Sequence, residues 1–171
     1  ISLLDIQKKK RGWEGFIIPI PNCTTTGLVI SLKPINDAFG LRNVIMTSMQ
    51  AVSGAGRSPG VTALDITDNV IPFIPNEEEK VQEETKKILG IKGDNGIEVA
   101  DFNISSTCTR VNVLEGHTES VFVSTKEKCS VEEIKGALGK YTGILADKRL
   151  PSSPKKMIVV QEDPYRPQPR L

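Results

Sequence analysis

The sequence contains little histidine, cysteine and tryptophan, and it carries almost no net charge. Its 171 residues include one His, three Cys and one Trp, and 22 basic residues balance 21 acidic ones. A net charge of +1 gives no general attraction to nucleic acid or to an anionic membrane, so neither partner is expected. No apolar run approaches the length of a membrane span, and no signal-peptide pattern precedes the basic residues 8–11.

The scarcity of cysteine limits redox and metal chemistry. Cys23, Cys108 and Cys129 are odd in number and far apart in sequence, which does not fit a disulfide framework. One histidine and three scattered cysteines form a poor ligand set, so we expect no metal site. Free thiols are typical of a reducing compartment, and we therefore expect a cytoplasmic protein.

The composition that remains is that of a globular domain, with 38% hydrophobic and 25% charged residues. Apolar periodicity, caps and breakers predict helices at 1–11, 24–39, 77–89 and 130–141, and strands at 44–52, 102–113, 120–125 and 157–161. A short helix is predicted at 64–70 and an extended tail at 164–171. This order of elements predicts an α+β fold, a mixed β-sheet with helices packed on one face.

Three local signals refine these elements. Pro34 lies inside the second predicted helix and implies a kink or an early stop. Asn76 is a suitable N-cap for the helix that begins with three glutamates. Residues 53–60 contain three Gly and one Pro, which predicts a loop.

Cys23 lies where an apolar run at 16–18, predicted as a strand, turns into the helix at 24–39. A thiol there lies at the positive end of the helix dipole, which favours the nucleophilic thiolate. Burial in a structural role is the commoner fate of a lone cysteine, and the polar neighbours of Cys23 argue only weakly against it. Asn22 could donate a hydrogen bond to an oxyanion, or it could simply shape the turn.

The only histidine, His117, is the side chain best suited to move protons near neutral pH. A histidine in a surface loop is the commoner case, and pairing with Cys23 makes the two interpretations about even. Arg110 could hold a carboxylate by a two-pronged hydrogen bond, or it could lie solvated at a strand edge. Because seven residues separate Arg110 from His117, the two converge only if a turn or bulge intervenes near 114–116.

Other candidate binding positions flank these residues. Gln50 ends a strand and could orient a substrate carbonyl, or it could be a buried amide satisfied by the backbone. Gly54 and Gly56 permit close approach of a ligand to the backbone, although a lone Gly-x-Gly is a weak signal. Glu77 and Lys80 share a helix face and could bind a zwitterionic or anionic substrate, whereas a surface ion pair is the commoner arrangement.

Four motifs carry a resemblance to a known family. They are Asn22-Cys23-Thr24-Thr25, the run from Gln50 to Gly56, the helix from Glu77 to Leu89, and the segment from Arg110 to Glu119. In this order they resemble aspartate-β-semialdehyde dehydrogenase of the archaeal and fungal branch, over nearly the whole chain. The segments 58–60 and 166–171 agree with that branch.

The resemblance implies that residues 1–171 form a catalytic and dimerisation domain like the C-terminal domain of glyceraldehyde-3-phosphate dehydrogenase. No GxxGxxG fingerprint occurs in the sequence, so we expect the family's NADP-binding Rossmann domain to be absent from this chain. By the resemblance, we expect the family's final C-terminal segment to be absent as well. We therefore expect NADP to be bound mainly by a domain outside this chain. We also expect a homodimer or homotetramer.

The resemblance also assigns roles to single residues. Cys23 is implied as the nucleophile, His117 as the acid and base, and Gln50 as a positioning group. Arg110 and Glu77 are implied as partners of the substrate carboxylate and amino group, and Lys80 and Asn22 as phosphate ligands. The implied cofactor contacts are Ser53, Gly54 and Gly56. The implied reaction is reductive dephosphorylation of L-aspartyl 4-phosphate to L-aspartate 4-semialdehyde through a cysteine thioester. It belongs to lysine, threonine and methionine biosynthesis.

Two alternatives remain at this stage. One is a related acyl-CoA reductase, such as a malonyl-CoA reductase. The other is a non-catalytic dimerisation fragment, because the chain by itself has no groups for hydride chemistry. We expect the isolated chain not to turn over NADPH.

Overall fold

The structure is a computed structural model that describes residues 3–56, 63–94, 96–143, 146–148 and 150–169. Its helices are α1 (Leu4–Arg11), α2 (Cys23–Phe39), α3 (Ala63–Ile66), α4 (Glu77–Ile88) and α5 (Val131–Lys140), with 3₁₀ turns at Val52–Ala55 and Ala146–Lys148. Its strands are β1 (Leu41–Gln50), β2 (Val70–Ile71), β3 (Ile91–Lys92), β4 (Ile97–Glu98), β5 (Asn103–Val111) and β6 (Thr118–Thr125). No helix in these ranges is both long and apolar enough to cross a membrane.

Four strands form the main sheet in the order β2-β5-β1-β6. Strands β1 and β5 are parallel, whereas β6 and β2 pair antiparallel with their neighbours. Strands β3 and β4 make a separate two-stranded hairpin. Helices α2 and α4 pack on one face of the main sheet and α5 packs beside α2, which confirms the predicted mixed α+β arrangement.

The core lies between the sheet and these helices. Leu28, Leu32 and Ile35 recur on one face of α2 at the spacing of helical turns, and all three are buried. Val44 and Met46 alternate along β1 and meet them from the sheet. The core therefore fixes α2 against β1, and the N-terminus of α2 lies at the same end of the layer as the C-terminus of β1.

Helix α2 begins at Cys23 because Asn22 caps it, with the Asn22 side-chain oxygen accepting the Thr25 N–H at 3.1 Å. The helix continues unbroken through Pro34 to Phe39, so the predicted early stop is wrong. Proline removes one helical hydrogen bond, but Pro34 is itself buried among the core residues of α2. The free energy gained by packing this face of α2 therefore exceeds the cost of the lost hydrogen bond.

Other local predictions were wrong at strands and caps. The run 16–18 forms no strand, because the Gln7 side-chain amide binds both the N–H and the C=O of Ile17 in place of a neighbouring strand. Residues 157–161 also form no strand, since no ladder partner meets them among the described residues. Asn76 has a left-handed backbone and makes no side-chain cap. Val70 begins β2 rather than ending a helix.

Some predictions fall outside the described residues. The predicted loop at 53–60 is described only as far as Gly56, where its first part forms the 3₁₀ turn Val52–Ala55. The remaining loop residues and the last two residues of the tail lie outside the described ranges.

Candidate active site

Cys23 and His117 form a close pair at the N-terminus of α2. Cys23 is the first residue of the helix, and its Sγ lies 3.1 Å from the His117 Nε2. His117 comes directly before β6, after a turn in which Gly116 adopts φ +86°. That left-handed conformation favours glycine and reverses the chain between β5 and β6. The predicted turn thus brings the histidine back over the helix that carries the thiol.

The hydrogen bonds of His117 fix the position of its ring proton. The Ala51 N–H donates to Nδ1 at 3.1 Å, so Nδ1 must act as an acceptor and the neutral ring carries its hydrogen on Nε2. Burial, and then the nearby Arg110 charge, lowers the pKa of His117, while Glu77 opposes this shift. A largely neutral His117 therefore presents an N–H donor to the Cys23 sulfur.

Arg110 reaches the same peptide group from β5. Its Nη1 donates to the Ala51 carbonyl at 2.8 Å, and the residue is only 5% exposed. A side chain at Gly54 would lie 3.2 Å from Arg110 Nη1 and 3.0 Å from His117 Cε1. The guanidinium and the imidazole lie close together because both bind the main chain of Ala51 and because Gly54 has no side chain to fill the space next to them.

A second cluster joins α2, α4 and β1 beside this pair. Glu77, at the start of α4, is 8% exposed and accepts from the Asn22 Nδ2 at 2.7 Å and from the Gln50 Nε2 at 2.9 Å. Gln50 is almost fully buried and is the register partner of Arg110. Lys80 is exposed one turn further along α4, and no ion pair joins it to Glu77 among the described residues.

The glycine loop is less open to a ligand than its sequence indicates. The Val52 and Ser53 N–H groups bond to the Val113 and Leu114 carbonyls, and the Gly54 N–H bonds to Ala51. These donors are committed and do not form a cradle for phosphate. Ser53 does line an open cavity with Leu114, and nothing lies within 4 Å of a side chain built at Gly56.

Glu119 is a site residue that our prediction missed. It lines a cavity of about 500 Å³ together with Cys23 and His117, and its carboxyl lies 3.2 Å from where a side chain at Gly27 would begin. Burial raises the pKa of Glu119 to about 7. The sequence contained a signal for this position. Glu119 follows His117 by two residues, and side chains two residues apart point to the same side of an extended backbone.

The other two cysteines have different surroundings. Cys108 is fully buried in β5, and burial raises the pKa of its thiol. Cys129 is partly buried near the Thr125 hydroxyl. All three cysteines are free, and the described part of the chain contains no cluster of three or more metal-ligating side chains.

Comparison with known proteins places this chain in a family. Residues 32–171 match the family model "Semialdehyde dehydrogenase, dimerisation domain". An aspartate-semialdehyde dehydrogenase of Archaeoglobus fulgidus is 54% identical over 171 residues, which cover 100% of this chain and 48% of that protein. A malonyl CoA reductase (NADP) of Metallosphaera sedula is 36% identical over 170 residues, covering 98% and 47%.

A solved structure agrees with the sequence matches. Aspartate semialdehyde dehydrogenase with NADP from Candida albicans superposes with a TM-score of 0.83 at 37% identity, covering 99% of this chain and 48% of that one. The chain thus spans about half the length of the relatives it matches. By its family model, its close relatives and its fold, the chain belongs to the semialdehyde dehydrogenase dimerisation-domain family.

Proposed function

We propose that this chain is the catalytic and dimerisation domain of an NADP-dependent aspartate-semialdehyde dehydrogenase. The proposed reaction is reductive dephosphorylation of L-aspartyl 4-phosphate to L-aspartate 4-semialdehyde, in lysine, threonine and methionine biosynthesis. The observation that carries it is the Cys23 Sγ at 3.1 Å from the His117 Nε2, with the buried Arg110 and Glu77 side chains beside them.

Arg110 and Glu77 suit the two ends of an α-amino acid. Both act electrostatically on His117, with opposite signs, so both charges lie near the reactive pair. A guanidinium binds a carboxylate by paired hydrogen bonds, and a carboxylate binds an ammonium group. We assign the substrate α-carboxylate to Arg110 and its amino group to Glu77, with Gln50 holding Glu77 in place.

The phosphate end of the substrate would meet Lys80 and Asn22. Lys80 is exposed and carries the extra cation that an acyl phosphate requires. The Asn22 Nδ2 already gives one hydrogen to Glu77, so a single amide hydrogen remains for a ligand.

The chemistry begins with attack of the Cys23 sulfur on the acyl carbon. A C–S bond forms, the C–O bond to phosphate breaks, and the thiol proton passes to the departing group. Hydrogenphosphate is therefore released, and a thioester remains on Cys23. The His117 Nε2–H donates a hydrogen bond to the Cys23 sulfur before attack and then lies beside the acyl oxygen as a donor. When the C–S bond breaks later, the same donor receives the returning thiolate.

NADP, when bound, supplies the hydride that reduces the thioester. The committed donors of Val52, Ser53 and Gly54 do not fit its phosphates. We propose that a domain outside this chain binds most of the cofactor. Only the Ser53 side chain and the open surface of Gly56 remain as contacts here, because the Gly56 N–H is itself bonded to the Ser53 carbonyl. The three free thiols favour a reducing, cytoplasmic setting.

We further propose that the chain assembles as a homodimer or homotetramer. The family model describes a dimerisation domain. The sheet face opposite the helices exposes Ile45 and Phe122, which are cross-strand partners on β1 and β6. An exposed apolar pair on a sheet face is a suitable centre for an interface.

A second candidate is reduction of malonyl-CoA, favoured by the Metallosphaera relative. Purified intact protein carrying this chain should reduce aspartyl phosphate with NADPH and prefer it over malonyl-CoA. Cys23→Ala should abolish turnover, and Glu77→Gln should raise KM for the amino-acid substrate. A preference for the CoA ester, with Glu77→Gln active, would overturn the substrate assignment.

A further inference from the structure

The turn before Cys23 is held by a residue from another helix. The backbone N–H of Asn22 donates to the Glu84 Oε2 at 2.8 Å, across 62 positions of sequence. The Asn22 Nδ2 donates to Glu77, its Oδ1 accepts from the Thr25 N–H, and its carbonyl accepts from Thr26. Every polar atom of Asn22 therefore has a partner, and two of these partners lie on α4.

Helix α5 shows the usual local form of this arrangement. Its cap Ser130 accepts from the Glu133 N–H, and the Glu133 carboxylate accepts from the Ser130 N–H at 2.8 Å. This reciprocal pair is a capping box, in which the third helical residue satisfies the N–H of the cap.

Helix α2 has no such residue. Its third position is Thr25, which is fully buried and whose hydroxyl has no hydrogen-bond partner among the described residues. The N–H of its cap is satisfied by Glu84 from α4 instead. The capping box of α2 is thus completed by a different helix.

We propose that Glu84 is a positioning residue for Cys23, acting through Asn22. Glu84 lies two turns after Glu77 on the same face of α4, so one helix face holds both the cap of α2 and the carboxylate beside the site. Placement of the nucleophile is thereby tied to the helix that carries Glu77 and Lys80. The inference rests on the proposed role of Cys23 as the nucleophile.

Two conservative variants separate the effect of the length of the Glu84 side chain from the effect of its charge. Glu84→Gln keeps an oxygen at the same reach but removes the charge. Glu84→Asp keeps the charge but shortens the reach by one methylene. Glu133→Ala serves as the matched control, because it removes the equivalent acceptor from the capping box of α5.

The measurement is the rate of iodoacetamide alkylation of Cys23 relative to Cys129 in the folded intact protein at neutral pH, read by peptide mapping. We expect Glu84→Asp to slow the alkylation of Cys23 roughly tenfold, because the shortened side chain loses its hydrogen bond to the Asn22 N–H at the helix cap. Glu84→Gln and Glu133→Ala should stay within about twofold of the wild type, the scatter allowed for a group that keeps its acceptor or lies elsewhere.

Each other outcome contradicts a specific claim. If Glu84→Gln changes the rate by more than about twofold, whether or not Glu84→Asp does, Glu84 acts by its charge and the positioning role is wrong. Unchanged rates in both variants would also overturn it. If wild-type Cys23 reacts no faster than Cys129, the proposed nucleophile itself fails, whatever the Glu84 variants do.

Discussion

At the scale of single residues, the peptide group of Ala51 has the largest influence on the site. Its carbonyl accepts from Arg110 and its N–H donates to His117. One main-chain unit thus sets the spacing of a cation and an imidazole and fixes the tautomer of the latter. No side-chain pattern encodes a main-chain contact, which is why the sequence pointed to Arg110 and His117 but not to what joins them.

Gly54 should not tolerate substitution, because other side chains already fill the space that a side chain at this position would occupy. A side chain there would lie 3.0 Å from the His117 ring and 3.2 Å from Arg110, closer than ordinary van der Waals contact. We expect Gly54→Ala to lower kcat/KM by roughly tenfold to a hundredfold, the effect of small misplacements in a catalytic pair.

The control for this variant is Gly136→Ala in α5, where nothing lies within 4 Å of the added atom. That change should leave kcat/KM unaltered and raise stability slightly, since alanine is the better helix former. Full activity of Gly54→Ala would show that His117 and Arg110 are not packed as described.

Glu119 should make stability depend on pH near neutrality. Its pKa in the fold is about 7, above its ordinary 4.5, so the folded state holds the extra proton between these values. The free energy of unfolding then falls as pH rises through that window. Glu119→Gln should be more stable than the wild type at pH 8 by roughly 2 kcal/mol, allowing for partial exposure, and show little gain at pH 4.5.

Denaturant unfolding at both pH values measures this difference. The exposed Glu115, four residues away in the turn before β6, provides the control. Glu115→Gln should show the same stability change at pH 4.5 and pH 8. A pH-independent effect of Glu119→Gln would contradict burial of an ionisable carboxyl beside Cys23.

At the scale of elements, helices were easier to predict than strands. The starts of α2 and α5 depend on caps within three residues of sequence, as the structure shows for Asn22 and Ser130, so a local pattern is enough to locate such helices. A strand needs a partner elsewhere in the chain, and neither 16–18 nor 157–161 has one among the described residues. The link from Glu84 to Asn22 is equally non-local, and our sequence analysis did not find it.

The layer between α2, α4 and the sheet contains buried hydroxyls without a hydrogen-bond partner in the part of the chain that the structure describes. One of them belongs to Thr85 on α4, which is fully buried. Replacing an unsatisfied hydroxyl by a methyl group of the same shape removes a desolvation penalty, so Thr85→Val should raise the free energy of unfolding by about 1 kcal/mol. Thr85→Ser, which keeps the hydroxyl and loses a methyl, should lower it. The reverse order in thermal unfolding would indicate a hidden partner.

At the scale of the whole molecule, the sheet face opposite α2 and α4 is the surface best suited to form an interface between subunits. Ile45 is 57% exposed and Phe122 is 65% exposed, and the two lie opposite each other on the antiparallel strands β1 and β6. If this face forms the dimer, Phe122→Glu should shift the intact protein to monomer in analytical ultracentrifugation. Val131→Glu, at an exposed apolar residue at the start of α5, should not. An unchanged dimer in Phe122→Glu would move the interface elsewhere.

The central claim is that Cys23 forms the acyl-enzyme. The direct test is to incubate the intact protein with aspartyl phosphate in the absence of NADPH, quench in acid and map the cysteine peptides by mass spectrometry. The account predicts one aspartyl group on Cys23, release of an equal amount of phosphate, and loss of both in Cys23→Ser. Acylation of Cys108 or Cys129 instead, or phosphate release without any acylated cysteine, would contradict it.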